Sequence, residues 1–218
     1  MTASDARRTF RRFRVVAWIF RFVRPIFAKV DIHYRGDRPS SGPMIFVANH
    51  NSFFDIPVGL EFFLRLGIAP QIAVHRRFFS NRIVGAALRY VGAVPVEAGT
   101  GDQWLAGAVA ELDAGRAVAL MPEGRITEEN TTVGRLRSGV VRLAAQTDAP
   151  VWPIGVLGTD EVWPLGRPIP RLRIRRPTIV VNVGVPMTTD GTTPDAFIDE
   201  LAAAVDELIG DHATRPAR

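Results

Sequence analysis

The fold is decided around one stretch of the chain, Met44-Ile45-Phe46-Val47-Ala48-Asn49-His50-Asn51-Ser52-Phe53-Phe54-Asp55. Residues 43–48 form a short, continuous apolar run, which is typical of a strand buried on both faces. Residues 49–52 are turn and helix-cap residues, and residues 53–66 continue as a predicted helix. A strand that ends in a polar turn and opens a helix predicts an α/β fold with His50 at the carboxyl edge of the sheet, where such folds usually place their sites.

His50 and Asp55 are five positions apart, so the chain can fold back through one turn and bring the carboxylate to the imidazole. A carboxylate that accepts a hydrogen bond from one ring nitrogen fixes the tautomer and leaves the other nitrogen available as a base. General-base assistance of this kind contributes about 10²–10⁴ in rate. The pair therefore predicts proton-transfer chemistry; the alternative is a strand-end histidine that caps the following helix.

The composition suits one domain with a substantial core, because 47% of the 218 residues are hydrophobic and 22% are charged. There is no cysteine, which excludes disulfides, thiol nucleophiles and cysteine-ligated metal. The net charge is +5 and Lys29 is the only lysine. The basic character therefore belongs to arginine, which favours planar partners such as phosphate or carboxylate.

Residues 7–29 carry seven arginines interleaved with apolar residues. The apolar set gathers on one side of a helical projection, most arginines gather on the other, and Trp18 and Phe22 lie among or beside them. The longest charge-free run, residues 15–20, is far shorter than the about 20 residues that a membrane span needs. We expect an amphipathic helix lying on an anionic membrane surface; the alternative is a helix packed on the body of the protein.

The chain divides into an amino-terminal basic helix (residues 1–29), one domain (residues 30–210) and a flexible tail (residues 211–218). Strands and helices alternate along the predicted domain. Pro153 lies inside a predicted strand and suggests a bulge or an edge position. Residues 161–170 are rich in Pro, Gly and Trp, and we expect a long irregular loop that borders an apolar pocket.

A second polar cluster, Pro122-Glu123-Gly124-Arg125, follows the predicted strand 116–121. Glycine suits a backbone geometry that most residues resist, and the turn projects an acid and a guanidinium from the edge of the sheet. An arginine there can bind a phosphate through two parallel hydrogen bonds. The alternative is a structural turn with an exposed Glu–Arg pair.

Together, residues 49–55 and 121–125 resemble the signature of the glycerolipid acyltransferase family, whose best-known members are the lysophosphatidic acid acyltransferases. That signature is a histidine, four residues and an aspartate, followed later by Phe-Pro-Glu-Gly-Thr-Arg or a variant. Three further blocks agree in the family's order, and the resemblance covers residues 30–186. The three blocks are Gly92-Ala93-Val94-Pro95-Val96, Arg137-Ser138-Gly139 and Ala149-Pro150-Val151-Trp152-Pro153-Ile154.

The chain departs from the family pattern at two places. Arg125 follows Gly124 without the family's threonine, and His75-Arg76-Arg77-Phe78 stands where the family usually has Lys-x-Glu-Leu. Which of these residues takes the role of that lysine is left open. The resemblance implies a single domain with a mostly parallel central sheet flanked by helices, and an amino-terminal amphipathic helix resting on the membrane.

The resemblance also implies an acyltransferase of glycerophospholipid synthesis. We expect His50 to take the proton from a lysophospholipid hydroxyl, foremost that of 1-acylglycerol-3-phosphate, as it attacks an acyl thioester to give phosphatidic acid, with Asp55 orienting the imidazole. The backbone amides near Asn51 and Ser52 are candidate oxyanion donors. The residues expected to bind substrate are Arg76, Arg77, Glu123, Gly124, Arg125 and Arg137.

The expected donor is acyl-CoA or the acyl thioester of an acyl carrier protein (acyl-ACP), which serves as co-substrate, and no cofactor is expected. No metal is expected, because His33, His50, His75 and His212 do not have the spacing of a ligand cluster. No nucleic acid is expected as a partner, and we expect the protein to lie peripherally or monotopically on the cytoplasmic face of the cell membrane. The alternatives are a lipid or thioester hydrolase and a non-catalytic peripheral membrane-binding protein.

Overall fold

The computed structural model describes residues 3–97, 101–126 and 133–211. The strands are β1 Lys29–Tyr34, β2 Met44–Ala48, β3 Gln71–His75, β4 Val94–Val96, β5 Ala117–Leu120, β6 Val151–Leu157 and β7 Thr178–Val183. The helices are α1 Ala3–Val23, α2 Asp55–Leu66, α3 Arg82–Tyr90, α4 Gly101–Asp113, α5 Gly139–Thr147, α6 Thr159–Val162 and α7 Pro194–Gly210, with short 3₁₀ helices at Arg24–Ile26 and Arg76–Phe79. Most of the predicted tail, residues 212–218, lies outside the described residues.

Within the described residues, seven strands form one sheet in the order β1-β7-β6-β2-β5-β3-β4. Strands β6, β2, β5, β3 and β4 are mutually parallel, whereas β7 is antiparallel to β6 and parallel to β1. The expected single α/β domain with a mostly parallel sheet is confirmed. The carboxyl ends of the five parallel strands therefore meet the amino ends of β7 and β1 at one edge of the sheet, named here the site edge.

Strand β2 lies near the centre of the sheet, and this position explains its unbroken apolar run. Met44 and Phe46 belong to the core on one face, with side chains of α1, α2 and α3. Ile45 and Val47 belong to the core on the other face, with side chains of α4, α5 and α7. Successive side chains of a strand point to opposite faces, so a strand covered on both sides must be apolar at every position.

Pro153 corrects one expectation from the sequence. It lies in β6, which is an internal strand between β7 and β2, and it takes its place in an uninterrupted register opposite Val47. The expected bulge or edge position is therefore wrong. Proline lacks only the donor of its peptide unit, and the Pro153 carbonyl still accepts a hydrogen bond from the Gly184 amide at 2.9 Å.

Helix α1 carries two apolar stripes rather than one. Phe13 and Ala17 are fully buried where α1 packs beside α2, so the apolar face expected to meet lipid instead packs on the protein. The second stripe is exposed at helical spacing and is named here the exposed stripe: Val15, Trp18, Ile19, Phe22, Val23 and Ile26. Among the helices of the described ranges, none has the length and apolar character needed to cross a membrane.

A buried carboxylate fastens the end of α1 to α2. The Glu61 side chain is fully buried, and its two oxygens accept hydrogen bonds from Nε and Nη2 of Arg24, each at 2.8 Å. Arg65 donates to the same carboxylate at 2.5 Å, and Arg21 lies 3.7 Å from it. Burial alone would raise the pKa of Glu61, but the hydrogen bonds from Arg24 and Arg65 outweigh it and lower the pKa below its usual value. The ion cluster fixes α1 to the helix that begins at Asp55.

Candidate active site

The turn after β2 is organised by one oxygen of Asp55, the first residue of α2. Asp55 Oδ2 lies 2.8 Å from His50 Nδ1 and accepts backbone N–H bonds from Asn51 and Ser52, each at 2.9 Å. The Asp55 side chain is buried, whereas 18% of the His50 side chain is exposed. An ionised carboxylate can only accept hydrogen bonds, so this contact favours the tautomer with the proton on Nδ1 and a lone pair on Nε2. The expected His50–Asp55 contact is therefore present.

The two backbone amides also correct an expectation. Asn51 and Ser52 were candidate oxyanion donors, but both of their N–H groups point to Asp55 Oδ2. They stabilise the carboxylate, as backbone donors at the start of a helix commonly do. The assignment of these amides to an oxyanion hole is wrong for this structure.

Asn49 has a structural role that the sequence did not reveal. Its buried side chain donates from Nδ2 to the Val156 carbonyl at 2.9 Å and accepts from the Val156 amide through Oδ1 at 2.7 Å. These two bonds continue the β2–β6 pairing beyond the last strand residue. Ser52 adds a bond from Oγ to the Trp163 carbonyl at 2.6 Å. Hydrogen bonds from Asn49 to β6 and from Ser52 to Trp163 therefore hold the histidine turn before and after His50.

The second polar turn lies beside the first, because β5 is the neighbour of β2. Gly124 has φ +69°, and a Cβ at this position would lie 2.7 Å from Cζ of Arg137. The Arg137 amide donates to the Pro122 carbonyl at 3.1 Å. Glycine is therefore needed twice over, once for the left-handed backbone and once to admit the guanidinium of Arg137. The Arg137 guanidinium therefore lies against Gly124, the residue that precedes the exposed Arg125.

Glu123 connects the two turns directly. The residue is 5% exposed, and its Oε1 accepts a hydrogen bond from the backbone amide of His50 at 2.9 Å. This contact positions the histidine. The expectation that Glu123 and Gly124 shape a substrate pocket remains a prediction.

Arg76 and Arg77 lie on the 3₁₀ helix that follows β3, at the same edge. Strand β3 is two places from β2 in the sheet, a separation of about 10 Å. Arg76 forms an exposed ion pair with Glu97 at 3.3 Å, and the Arg77 guanidinium lies 4.8 Å from the centre of the Phe78 ring. Both cations flank the site, and their roles toward a substrate remain predictions.

Aromatic rings surround the histidine turn. Phe53 contacts Trp163 with ring centres 5.7 Å apart and Phe78 with ring centres 6.0 Å apart. The sequence placed Trp163 in a loop bordering an apolar pocket, but it did not associate that loop with His50. The signal was the Pro- and Trp-rich composition, which identifies an apolar loop and not its neighbour.

Fold and site together define the class: an α/β protein with a His–Asp pair suited to general-base chemistry and arginines at the same sheet edge. The acyltransferase family model matches residues 29–157. The chain belongs to this acyltransferase family. The match begins at β1 and ends at the last residue of β6, so it contains both polar turns.

Two plant proteins resemble the chain, each 30% identical over an alignment of 164 residues that covers 73% of the chain. They are chloroplastic 1-acyl-sn-glycerol-3-phosphate acyltransferases of Brassica napus and Arabidopsis thaliana, of which the matched segment covers 46% and 44%. The chain thus spans less than half the length of these relatives. The crystal structure of the 1-acyl-sn-glycerophosphate acyltransferase PlsC from Thermotoga maritima superposes with a TM-score of 0.76 and 19% identity, over 100% of this chain and 86% of that one. That likeness concerns the fold.

Proposed function

We propose that the protein transfers a fatty acyl group from an acyl thioester to the hydroxyl of a lysophospholipid at a membrane surface. The proposed first acceptor is 1-acylglycerol-3-phosphate, which would yield phosphatidic acid. Family membership supports acyl transfer, and the two plant relatives, which are 1-acyl-sn-glycerol-3-phosphate acyltransferases, suggest this acceptor.

The observation that carries the proposal is the 2.8 Å contact between His50 Nδ1 and Asp55 Oδ2. With Nδ1 committed to the carboxylate, Nε2 accepts the proton of the acceptor hydroxyl as its oxygen attacks the thioester carbonyl. The new C–O bond forms, the C–S bond breaks, and the imidazolium returns the proton to the departing thiolate. No covalent acyl-enzyme is required, because a thioester is already activated toward attack by a positioned alkoxide-like oxygen.

Arginines at the site edge are proposed to bind the acceptor phosphate. Arg137 packs against Gly124, and Arg125 is the next residue after Gly124 in the chain. Two guanidiniums can therefore reach one phosphate from neighbouring positions. Guanidinium–phosphate pairs are frequently bidentate and depend on geometry as well as charge. Arg76 and Arg77 are the second choice for binding the phosphate, since Arg76 already pairs with Glu97 and Arg77 already lies over the Phe78 ring.

The direct test measures acyl transfer by purified protein and its His50→Ala variant, with lysophosphatidic acid as acceptor and either acyl-CoA or an acylated carrier protein as donor. We expect kcat to fall by about 10²–10⁴ for His50→Ala. His33→Ala, on the exposed side of β1, is the matched control and should keep normal turnover. A folded His50→Ala protein with near-normal turnover contradicts the mechanism.

The role of Arg125 is tested by changing the acceptor. Arg125→Ala should raise KM for lysophosphatidic acid but have a small effect with monoacylglycerol, which has no phosphate. Equal losses on both acceptors would contradict phosphate binding by Arg125. Release of free fatty acid in place of a transfer product would identify a hydrolase.

A further inference from the structure

Residues 163–177 form an irregular segment between α6 and β7, named here the arginine loop. It contains five arginines and no acidic residue: Arg167, Arg171, Arg173, Arg175 and Arg176. Four large aliphatic side chains alternate with them and are exposed, with Ile174 fully exposed and Leu172 72% exposed: Leu165, Ile169, Leu172 and Ile174. The loop thus presents charge and apolar surface together, which a purely solvated loop does not need.

The arginine loop lies at the site edge. It follows the carboxyl end of β6 and leads to the amino end of β7, and both ends lie where the histidine turn lies. Its first residue is tied to that turn, because Ser52 Oγ donates to the Trp163 carbonyl and the Trp163 ring contacts Phe53. The loop is therefore a border of the candidate active site.

The other end of the loop reaches the end of α1. Arg176 Nη1 donates to the Pro25 carbonyl at 2.6 Å, and the Lys29 amide donates to the Pro177 carbonyl at 2.9 Å. Ile26, the last residue of the exposed stripe, is next to Pro25 in the chain. The exposed stripe and the arginine loop therefore meet at the same edge as His50.

We propose that the arginine loop is a second membrane-binding element, which docks on an anionic lipid surface together with the exposed stripe and places the histidine turn at headgroup level. Arginines pair with anionic headgroups while neighbouring aliphatic side chains enter the boundary of the acyl chains. An acidic protein would also match the charge, but the loop adjoins the exposed stripe of α1, and the apolar surface that it shares with Trp18, Ile19 and Phe22 suits the boundary of a lipid layer. The idea deepens the proposed function, although the binding itself requires no acyl transfer.

The test is flotation of the 218-residue chain with vesicles of phosphatidylcholine containing phosphatidylglycerol. Leu172→Ser/Ile174→Ser and Arg167→Gln/Arg175→Gln should each lower the ratio of bound to free protein by about tenfold; Arg173 is left intact because it lies 3.7 Å from Glu161. High salt should weaken the wild type as the arginine change does. The matched controls lie beyond the carboxyl ends of β1 and β7, at the opposite edge: Arg35→Gln/Arg38→Gln removes the same charge and Val185→Ser removes an exposed aliphatic side chain. Both should bind within about twofold of the wild type.

Three outcomes overturn the inference. Folded loop variants that float like the wild type, while Trp18→Ser/Phe22→Ser does not float, would make α1 the sole membrane element. Equal losses in the control variants would show that binding follows net charge alone. If the loop variants float normally and lose turnover only when the donor is an acylated carrier protein, the arginines bind that acidic protein and not the lipid surface. A wild type that floats but transfers no acyl group contradicts the proposed function and leaves the binding result standing.

Discussion

Glu123 accepts a hydrogen bond from the backbone amide of His50 at 2.9 Å, across 73 positions of sequence. The bond forms because β2 and β5 are adjacent parallel strands, so the turns that follow them lie side by side. It fixes the main chain at the histidine, while Asp55 fixes the ring. Glu123 is therefore a positioning residue in the proposed reaction.

Removing this acceptor should misplace the imidazole. We expect Glu123→Ala to lower kcat by about 10²-fold, since displacements near 1 Å can have effects of that size, with little change in KM for the acceptor. Glu123→Gln keeps a carbonyl oxygen in place and should recover most of the rate. Steady-state kinetics of both variants measure this. A rise in KM with unchanged kcat would instead indicate direct contact with substrate.

Asp55→Asn should lower kcat by about 10²–10⁴. An amide cannot stabilise the imidazolium by charge, and if its nitrogen faces His50 it imposes the wrong tautomer. Asp55 Oδ1 is buried without a hydrogen-bond partner among the described residues. If the oxygen of the new amide faced His50 instead, its NH2 group would take the place of Oδ1 and be buried unpaired. Turnover is compared with that of Asp31→Asn, an exposed change on β1. Full activity in a folded Asp55→Asn protein would show that the pair is structural.

Gly124→Ala should disturb the proposed phosphate site. Its Cβ would meet the Arg137 guanidinium at 2.7 Å on a backbone with φ +69°, so Arg137 must move. We expect KM for lysophosphatidic acid to rise about tenfold, comparable with the loss of one charged hydrogen bond, while kcat changes less. Gly67→Ala is the matched control, because Gly67 has φ +74° and no atom within 4 Å of the added Cβ. Equal kinetic effects in both variants would exclude a role for the clash.

Local patterns were sufficient for much of the fold and for the contact between His50 and Asp55. The apolar run of β2 predicted a strand covered on both faces, and the polar turn after it predicted the place of His50. The spacing to Asp55 predicted their contact, which requires only one turn of chain. These features lie within a dozen residues, so sequence pattern alone determines them.

Features that depend on distant segments were not predicted. Asn49 bonds to Val156 and Glu123 to His50, and nothing in either sequence neighbourhood names the partner. For α1, periodicity showed an apolar face but not which surface would cover it; Phe13 is buried and Phe22 is 73% exposed. Tertiary packing decides such questions, because two apolar stripes on one helix are equivalent until one of them has a neighbour.

The ion cluster at Glu61 predicts a pH-dependent contribution to stability. Because the pKa of Glu61 is lowered in the folded protein from its usual 4.5, its contribution is present above that value and is lost as pH falls through the folded pKa. Glu61→Gln removes the carboxylate that neutralises the mostly buried guanidinium of Arg24 and should lower the free energy of unfolding at pH 7 by about 3 kcal/mol. Urea denaturation at pH 7 and at pH values below 4.5 should show the difference from wild type narrowing with acid. Glu207→Gln breaks the exposed pair with Arg35 and should cost less than about 1 kcal/mol. The prediction is contradicted if Glu61→Gln lowers the free energy of unfolding by as little as Glu207→Gln, or if the difference from wild type does not change with pH. Burial and pairing would then offset each other at Glu61, and the packing of Phe13 and Ala17 would hold α1 in place.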